Sequence, residues 1–210
     1  MPAYGLSQAT WLIGIAGAAT GVSYACRQKW VSHTAVRVVL ACGLTGIEIE
    51  RTLHDPLHFP HQMPLNLCNV ATWTTVLALA TLRPLAVEFA YFTGLCSAAM
   101  ALLTPSAWPV RFYLNHGAVI IGATALVFGR IGRVRRGAVW RSLGLVGVYA
   151  VLLGMFNWIF GSNYGYLCRK PKGATLMSLM GPWPFYLIWV ALLAVGLFWL
   201  LWLPARRSAA

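Results

Sequence analysis

The sequence predicts an all-α fold, a polytopic membrane helical bundle of seven transmembrane helices in a single domain over residues 1–210, with the N-terminus outside and the C-terminus cytoplasmic. Three observations predict it. The chain is 59% hydrophobic and only 10% charged, with a mean hydropathy of +0.69, too apolar for an ordinary soluble domain. Seven apolar stretches, each close to the roughly 20 residues that a helical span consumes, follow one another between Pro, Gly and basic residues. Lys and Arg are divided unequally between the two sets of turns, and the richer set reads as cytoplasmic.

The first stretch, 8–25, has no basic residue before it and Arg27 and Lys29 after it, the flanks of an uncleaved span rather than of a signal peptide. The second, 34–53, contains Arg37, Glu48 and Glu50, so its lipid-facing part is short and its outer end must face protein or water. The third, 64–82, is entered through the turn His58-Phe-Pro-His-Gln-Met-Pro64 and carries Cys68 in its second turn. The fourth and fifth, 85–104 and 112–129, are joined through the Pro105–His116 region. The sixth and seventh, 142–161 and 184–203, flank a polar segment from Asn157 to Trp183. Trp158, Trp183, Trp189, Trp199 and Trp202 suit the aromatic belts at the membrane interfaces.

With seven spans, one side receives Arg27, Lys29, Arg37, Arg83, Arg130, Arg133, Arg135, Arg136, Arg141, Arg206 and Arg207. The other receives Arg51, Arg111, Arg169, Lys170 and Lys172. The formal charge of +12 therefore flanks apolar runs and sets membrane orientation, and nucleic acid is not an expected partner. The same topology gathers His54, His58, His61, Cys68, His116 and the Asn157–Trp183 segment on the outer face. No internal repeat, low-complexity segment or cofactor motif is evident.

Counted from Pro64 and Arg111, Cys68 and His116 fall at matching depths, about 6 to 8 Å below the outer boundary, where neighbouring helices can bring thiol and imidazole together. A thiol beside a base is a nucleophile whose product with an acyl ester is a thioester. The plain alternative is a packing cysteine and a hydrogen-bonded core histidine. Glu48 is the candidate third member that orients the imidazole, against local pairing of Glu48 with Arg51 and of Glu50 with His54. Asn66, Asn69, Asn115 and Tyr164 are candidate donors to an oxyanion. His54, Asp55, His58 and His61 have spacing compatible with a metal, but Pro56 and Pro60 argue against a regular helix. The alternative there is an interfacial loop that covers the pocket, with His61 over substrate. Arg169, Lys170 and Lys172, directly after the Asn163-Tyr164 turn, suit a phospholipid headgroup or ordinary snorkelling. Cys68 and Cys168 fall on the same outer side, so a disulfide between them competes with a thiol mechanism.

Met63-Pro-Leu-Asn-Leu-Cys68, the Asn115-His116 pair, Asn163-Tyr-Gly-Tyr-Leu-Cys-Arg-Lys-Pro-Lys172 and Leu179-Met-Gly-Pro-Trp-Pro-Phe-Tyr186 resemble the YwaF-type bacterial integral membrane proteins. That family is similar to the eukaryotic transmembrane protein 164 family. The resemblance runs from about span two to span seven and implies a seven-span fold akin to the androgen-induced-gene type of membrane hydrolases. It further implies acyl transfer onto ether lysophospholipids through an essential cysteine, with Cys68 at the nucleophile position and His116 as the base. The chain departs from the Pro-Leu-His-Leu-Cys form of the motif by having Asn66 in place of the histidine. Two functions stay open: a lipid acyltransferase or lipid hydrolase acting on membrane phospholipids, and a non-catalytic carrier or accessory subunit for which Glu48, Glu50 and Glu88 mark a route.

Overall fold

The structure is a computed structural model that describes residues 6–104, 110–171 and 176–206. The seven apolar stretches become α1 (Leu6–Ala25), α2 (His33–His54), α3 (Leu67–Thr81), α4 (Pro84–Leu103), α5 (Val110–Phe128), α6 (Ala138–Phe160) and α7 (Phe185–Ala205). Among the described residues there is no strand, and two short 3₁₀ helices, Tyr164–Tyr166 and Leu176–Leu179, occupy the long connection before α7. Helices α4, α5, α6 and α7 are long and apolar enough to cross a membrane, and α3 is a shorter apolar helix.

Local chemistry sets the boundaries. The Ser32 hydroxyl accepts from the Ala35 N–H at 3.3 Å and caps α2. Pro84 opens α4 at the position where its missing N–H costs nothing. Gly161, at φ 64°, closes α6 in the left-handed region that glycine adopts without strain. The third helix starts three residues later than its apolar stretch because side chains hold the preceding backbone as a loop, as described below.

Consecutive helices run in alternate directions, and long-range hydrogen bonds tie their ends. At one end, Arg27 Nε donates to Phe128 O at 2.7 Å, and Arg37 donates to Leu79 O and Ala80 O at 2.6 and 2.8 Å. These carbonyls close α5 and α3 and have no intrahelical partner, so in an apolar environment the guanidinium groups replace water. At the opposite end, Gln8 Nε2 donates to Leu102 O at 2.8 Å and Arg111 pairs with Asp55 at 3.1 Å.

Helix α4 is the centre. Residues 87–94 are all buried, and the helix packs against α3, α5, α6 and α7. Helix α2 packs on α3 and α5, and α1 on α5. Close approach within the α3–α4–α5 triangle depends on two glycines. A Cβ at Gly94 would lie 3.0 Å from Val119 Cγ1, and one at Gly122 would lie 2.9 Å from Thr75 Cγ2. Helices α6 and α7 keep most of their apolar surface exposed, as lipid-facing helices do.

Glu88, a route residue in the carrier reading, is instead fully buried near the start of α4 and occupied. Its carboxylate accepts from the Arg135 backbone N–H at 3.0 Å and from the Arg135 and Arg141 guanidinium groups at 2.9 to 3.2 Å. A buried carboxylate is tolerated only with such pairing. The same bonds pin the turn between α5 and α6 across the end of α4, and Glu88 holds the Arg135 guanidinium above its ordinary pKa.

Candidate functional site

Cys68 is the second residue of α3 and is half-buried, its Sγ 3.8 Å from Ser97 O on α4. The thiol thus sits in the first helical turn, not the second. Two tyrosines account for the late start of the helix. Tyr164 Oη accepts from Met63 N–H at 2.6 Å and donates to Pro60 O at 2.8 Å, while Tyr149 Oη donates to Leu65 O. The Tyr164 bonds hold residues 60–63 as a loop, and Tyr149 takes Leu65 O, the acceptor that Asn69 N–H would use in a longer helix; Asn69 N–H bonds Asn66 O instead.

His116 is half-buried on α5, and its Nδ1 is 2.8 Å from Phe112 O in its own helix. A carbonyl only accepts, so Nδ1 carries the hydrogen and the neutral ring keeps its lone pair on Nε2. The Phe112 ring, 4.2 Å away between centroids, lies one turn nearer the start of α5, and the imidazole is turned back towards it. Neighbouring Asn115 is level with Thr72, one turn further into α3 than Cys68, through the 3.3 Å Thr72 Oγ1–Asn115 Oδ1 bond. The backbone of His116 therefore lies about 6 Å deeper than that of Cys68 rather than level with it, and the tilt of the ring recovers part of the difference. Both residues refer to one stretch of α4: Cys68 contacts Ser97, and Val119, one turn from His116, packs at Gly94.

Glu48 is buried but does not reach the imidazole. Its Oε1 accepts from Arg51 at 2.6 and 3.0 Å, and its Oε2 from Asn115 Nδ2 at 3.4 Å. The orienting acceptor for His116 is the Phe112 carbonyl, which corrects the triad expectation for Glu48. A chain of contacts nevertheless runs Arg51–Glu48–Asn115–Thr72 and ends on Cys68 O, 3.0 Å from Thr72 Oγ1.

The other residues singled out from the sequence are largely architectural. Asn66 Oδ1 accepts from Gly165 N–H at 3.3 Å, joining the start of α3 to the later turn. Asn163 Oδ1 accepts from Cys168 and Arg169 N–H at 3.0 and 3.1 Å, and its Nδ2 donates to Arg169 O at 2.9 Å, which folds the segment on itself. Tyr164 is spent on the Pro60–Met63 loop, so it is not a free oxyanion donor. Arg169 is exposed; Lys170 Nζ lies 3.4 Å from Ser178 O and 5.6 Å over the Tyr186 ring. Lys172 lies outside the described residues, as do residues 105–109 of the α4–α5 turn. His61 is exposed on the loop that precedes Cys68.

The histidine-rich turn does not assemble a ligand set. His54 turns to Glu50 at 3.1 Å, His58 Nδ1 to Pro56 O at 2.8 Å and Asp55 to Arg111. Among the described residues no group of three His, Cys, Asp or Glu side chains is placed to hold a metal. Cys68 and Cys168 are both free thiols.

Sequence reasoning missed Ser97, Tyr149 and Thr72. Ser97 Oγ is buried without a hydrogen-bond partner, in the residue whose carbonyl faces the thiol. Nothing local distinguishes a serine or threonine within an apolar run: the packing of α3 on α4 reveals Ser97, the Asn115 bond from α5 reveals Thr72, and the bond from α6 to Leu65 O reveals Tyr149.

A bundle of alternating helices, four of them long and apolar enough to cross a bilayer and two facing outward, defines a multi-pass membrane protein. Residues 3–202 match the TMEM164 family, and the chain belongs to that family. No curated protein and no solved structure matches the chain.

Proposed function

We propose that this TMEM164 family member is a membrane-embedded lipid acyltransferase or lipid hydrolase that acts on membrane phospholipids through Cys68. In the first half-reaction His116 Nε2 takes the thiol proton, sulfur bonds to the acyl carbonyl carbon, and the ester C–O bond breaks as the proton passes to the leaving alkoxide. In the second half, a lysolipid hydroxyl or water gives its proton to His116 and attacks the thioester, and Cys68 recovers that proton. Ser97 Oγ, a buried hydroxyl without a partner in the residue whose carbonyl faces the thiol, is the candidate donor to the developing oxyanion.

The observation that carries this reading is the fixed state of the imidazole. With Nδ1–H committed to Phe112 O, His116 keeps a free lone pair on Nε2, on a helix that shares with Cys68 the same stretch of α4. In a seven-span arrangement with the N-terminus outside and the C-terminus cytoplasmic, as the Lys/Arg distribution favours, the thiol would lie at the outer leaflet, with Arg169 and Lys170 at headgroup depth on the same face. The carrier reading is weakened by Glu88, which two arginines occupy.

The test is a single-turnover assay in nanodiscs that contain phospholipid with a radiolabelled acyl chain. Hydroxylamine-labile label should appear on wild-type protein and be absent from Cys68→Ala, with slower acylation in His116→Gln. Equal labelling of wild type and Cys68→Ala would exclude Cys68 as the nucleophile.

A further inference from the structure

At the end of the bundle opposite the thiol, the turn between α1 and α2 and the end of α5 line an open cavity of about 330 Å³. Its lining includes Arg27, Lys29 and Arg130 together with His33, and no carboxylate. We propose that this cavity is a binding site for a phosphate monoester or diester.

The chain has four acidic residues, and none is available to these cations. Glu48, Glu50 and Asp55 lie at the other end of the bundle, and the Glu88 carboxylate is filled by Arg135 and Arg141. Three like charges around one concavity repel, and an anion seated among them removes that cost. The pocket is also held in shape. Arg27 Nε is anchored on Phe128 O at 2.7 Å, which leaves its terminal nitrogens to make the paired contacts that phosphate oxygens accept. His33 Nε2 is fixed at 2.7 Å on Cys26 O, and burial pushes the neighbouring Cys26 thiol pKa up, so it stays neutral. Gly129 brings the two elements together: a Cβ there would lie 2.8 Å from Cys26 Cβ. The next residue, Arg130, has φ 60°, a left-handed conformation unusual for a side-chain-bearing residue, and lines the same cavity. The volume accommodates a phosphate with a glycerol-sized substituent, so the phosphate is that of an anionic lipid headgroup or of a soluble metabolite.

The full chain in phosphatidylcholine nanodiscs separates the two sources. One arm dopes the discs with phosphatidylglycerol and counts retained lipid by native mass spectrometry. The other titrates sn-glycerol 3-phosphate by calorimetry. The probe variant is Lys29→Gln/Arg130→Gly, which removes two side chains that make no hydrogen bond within the described protein and leaves glycine in the left-handed turn. The control is Arg133→Gln/Arg136→Gln, two cations at the same end but outside the cavity. Retention or binding of one probe that falls roughly thirtyfold in the cavity variant and not in the control supports the site and names its source. An equal fall in both variants, or no binding of either probe above the zwitterionic background, overturns it.

Discussion

Replacing Tyr164 with phenylalanine isolates what positions the thiol. The substitution keeps the ring in its buried place and removes only the hydroxyl, which accepts from Met63 N–H and donates to Pro60 O. Each bond contributes about 0.5–1.5 kcal/mol net, so the loop before α3 should lose about 1–3 kcal/mol of local stability. Through local opening of the loop, the loss should appear as a 5- to 150-fold rise in amide hydrogen exchange over residues 60–68. The assay is hydrogen–deuterium exchange by mass spectrometry in nanodiscs, with peptides from residues 87–94 of α4 as the internal reference. Alkylation of Cys68 should accelerate in parallel. Unchanged exchange at Met63, or a rise as large in α4 as in the loop, would refute the view that this hydroxyl holds the start of α3.

Glu88→Gln should lower resistance to detergent unfolding by about 2 kcal/mol, less than the 3–5 kcal/mol of a wholly buried pair, because Arg135 and Arg141 are 49% and 36% exposed and screened by water. Gly122→Ala should destabilise by about 1–3 kcal/mol through the 2.9 Å contact with Thr75 Cγ2. Adding Thr75→Ser, which deletes that methyl and keeps the hydroxyl on Ala71 O, should restore most of the loss in the same unfolding titration. Ser97→Ala should lower acyl-transfer rate with little effect on thiol alkylation, and equal rates for variant and wild type would remove Ser97 from the oxyanion role.

All seven helices were legible because lipid-facing and core-facing segments share one signal, sustained apolarity, and their ends carry Pro, Gly or basic residues. Pro84 and Gly161 mark boundaries that the structure keeps. The start of α3 was not legible: Pro64 to Asn66 continue an apolar run, and the tyrosines that unwind them come from residues 149 and 164. Glu88 shows the same limit. From sequence it is an isolated charge in a span, and its partners lie 47 and 53 residues away on a returning turn. At the candidate site, Cys68 and His116 stand out by residue type, and Glu48 makes the local pair with Arg51 that its i,i+3 spacing offers. Ser97 and Thr72 carry no such mark.

The uneven placement of charge has a consequence in an electric field. Among the described residues, ten bases less Glu88 leave nine net charges at the end that holds Arg27 and Arg135, and four bases less three acids leave one at the end that holds Cys68. A transmembrane potential acts on that difference of eight charges at about 2.3 kcal/mol per charge per 100 mV. Inverting the molecule in an energised membrane would change its energy by about 18 kcal/mol per 100 mV, more than the whole folding stability of a typical domain. For a bundle whose two ends face opposite sides of an energised bilayer, that difference is an orienting force, and it favours the arginine-rich end on the negative side.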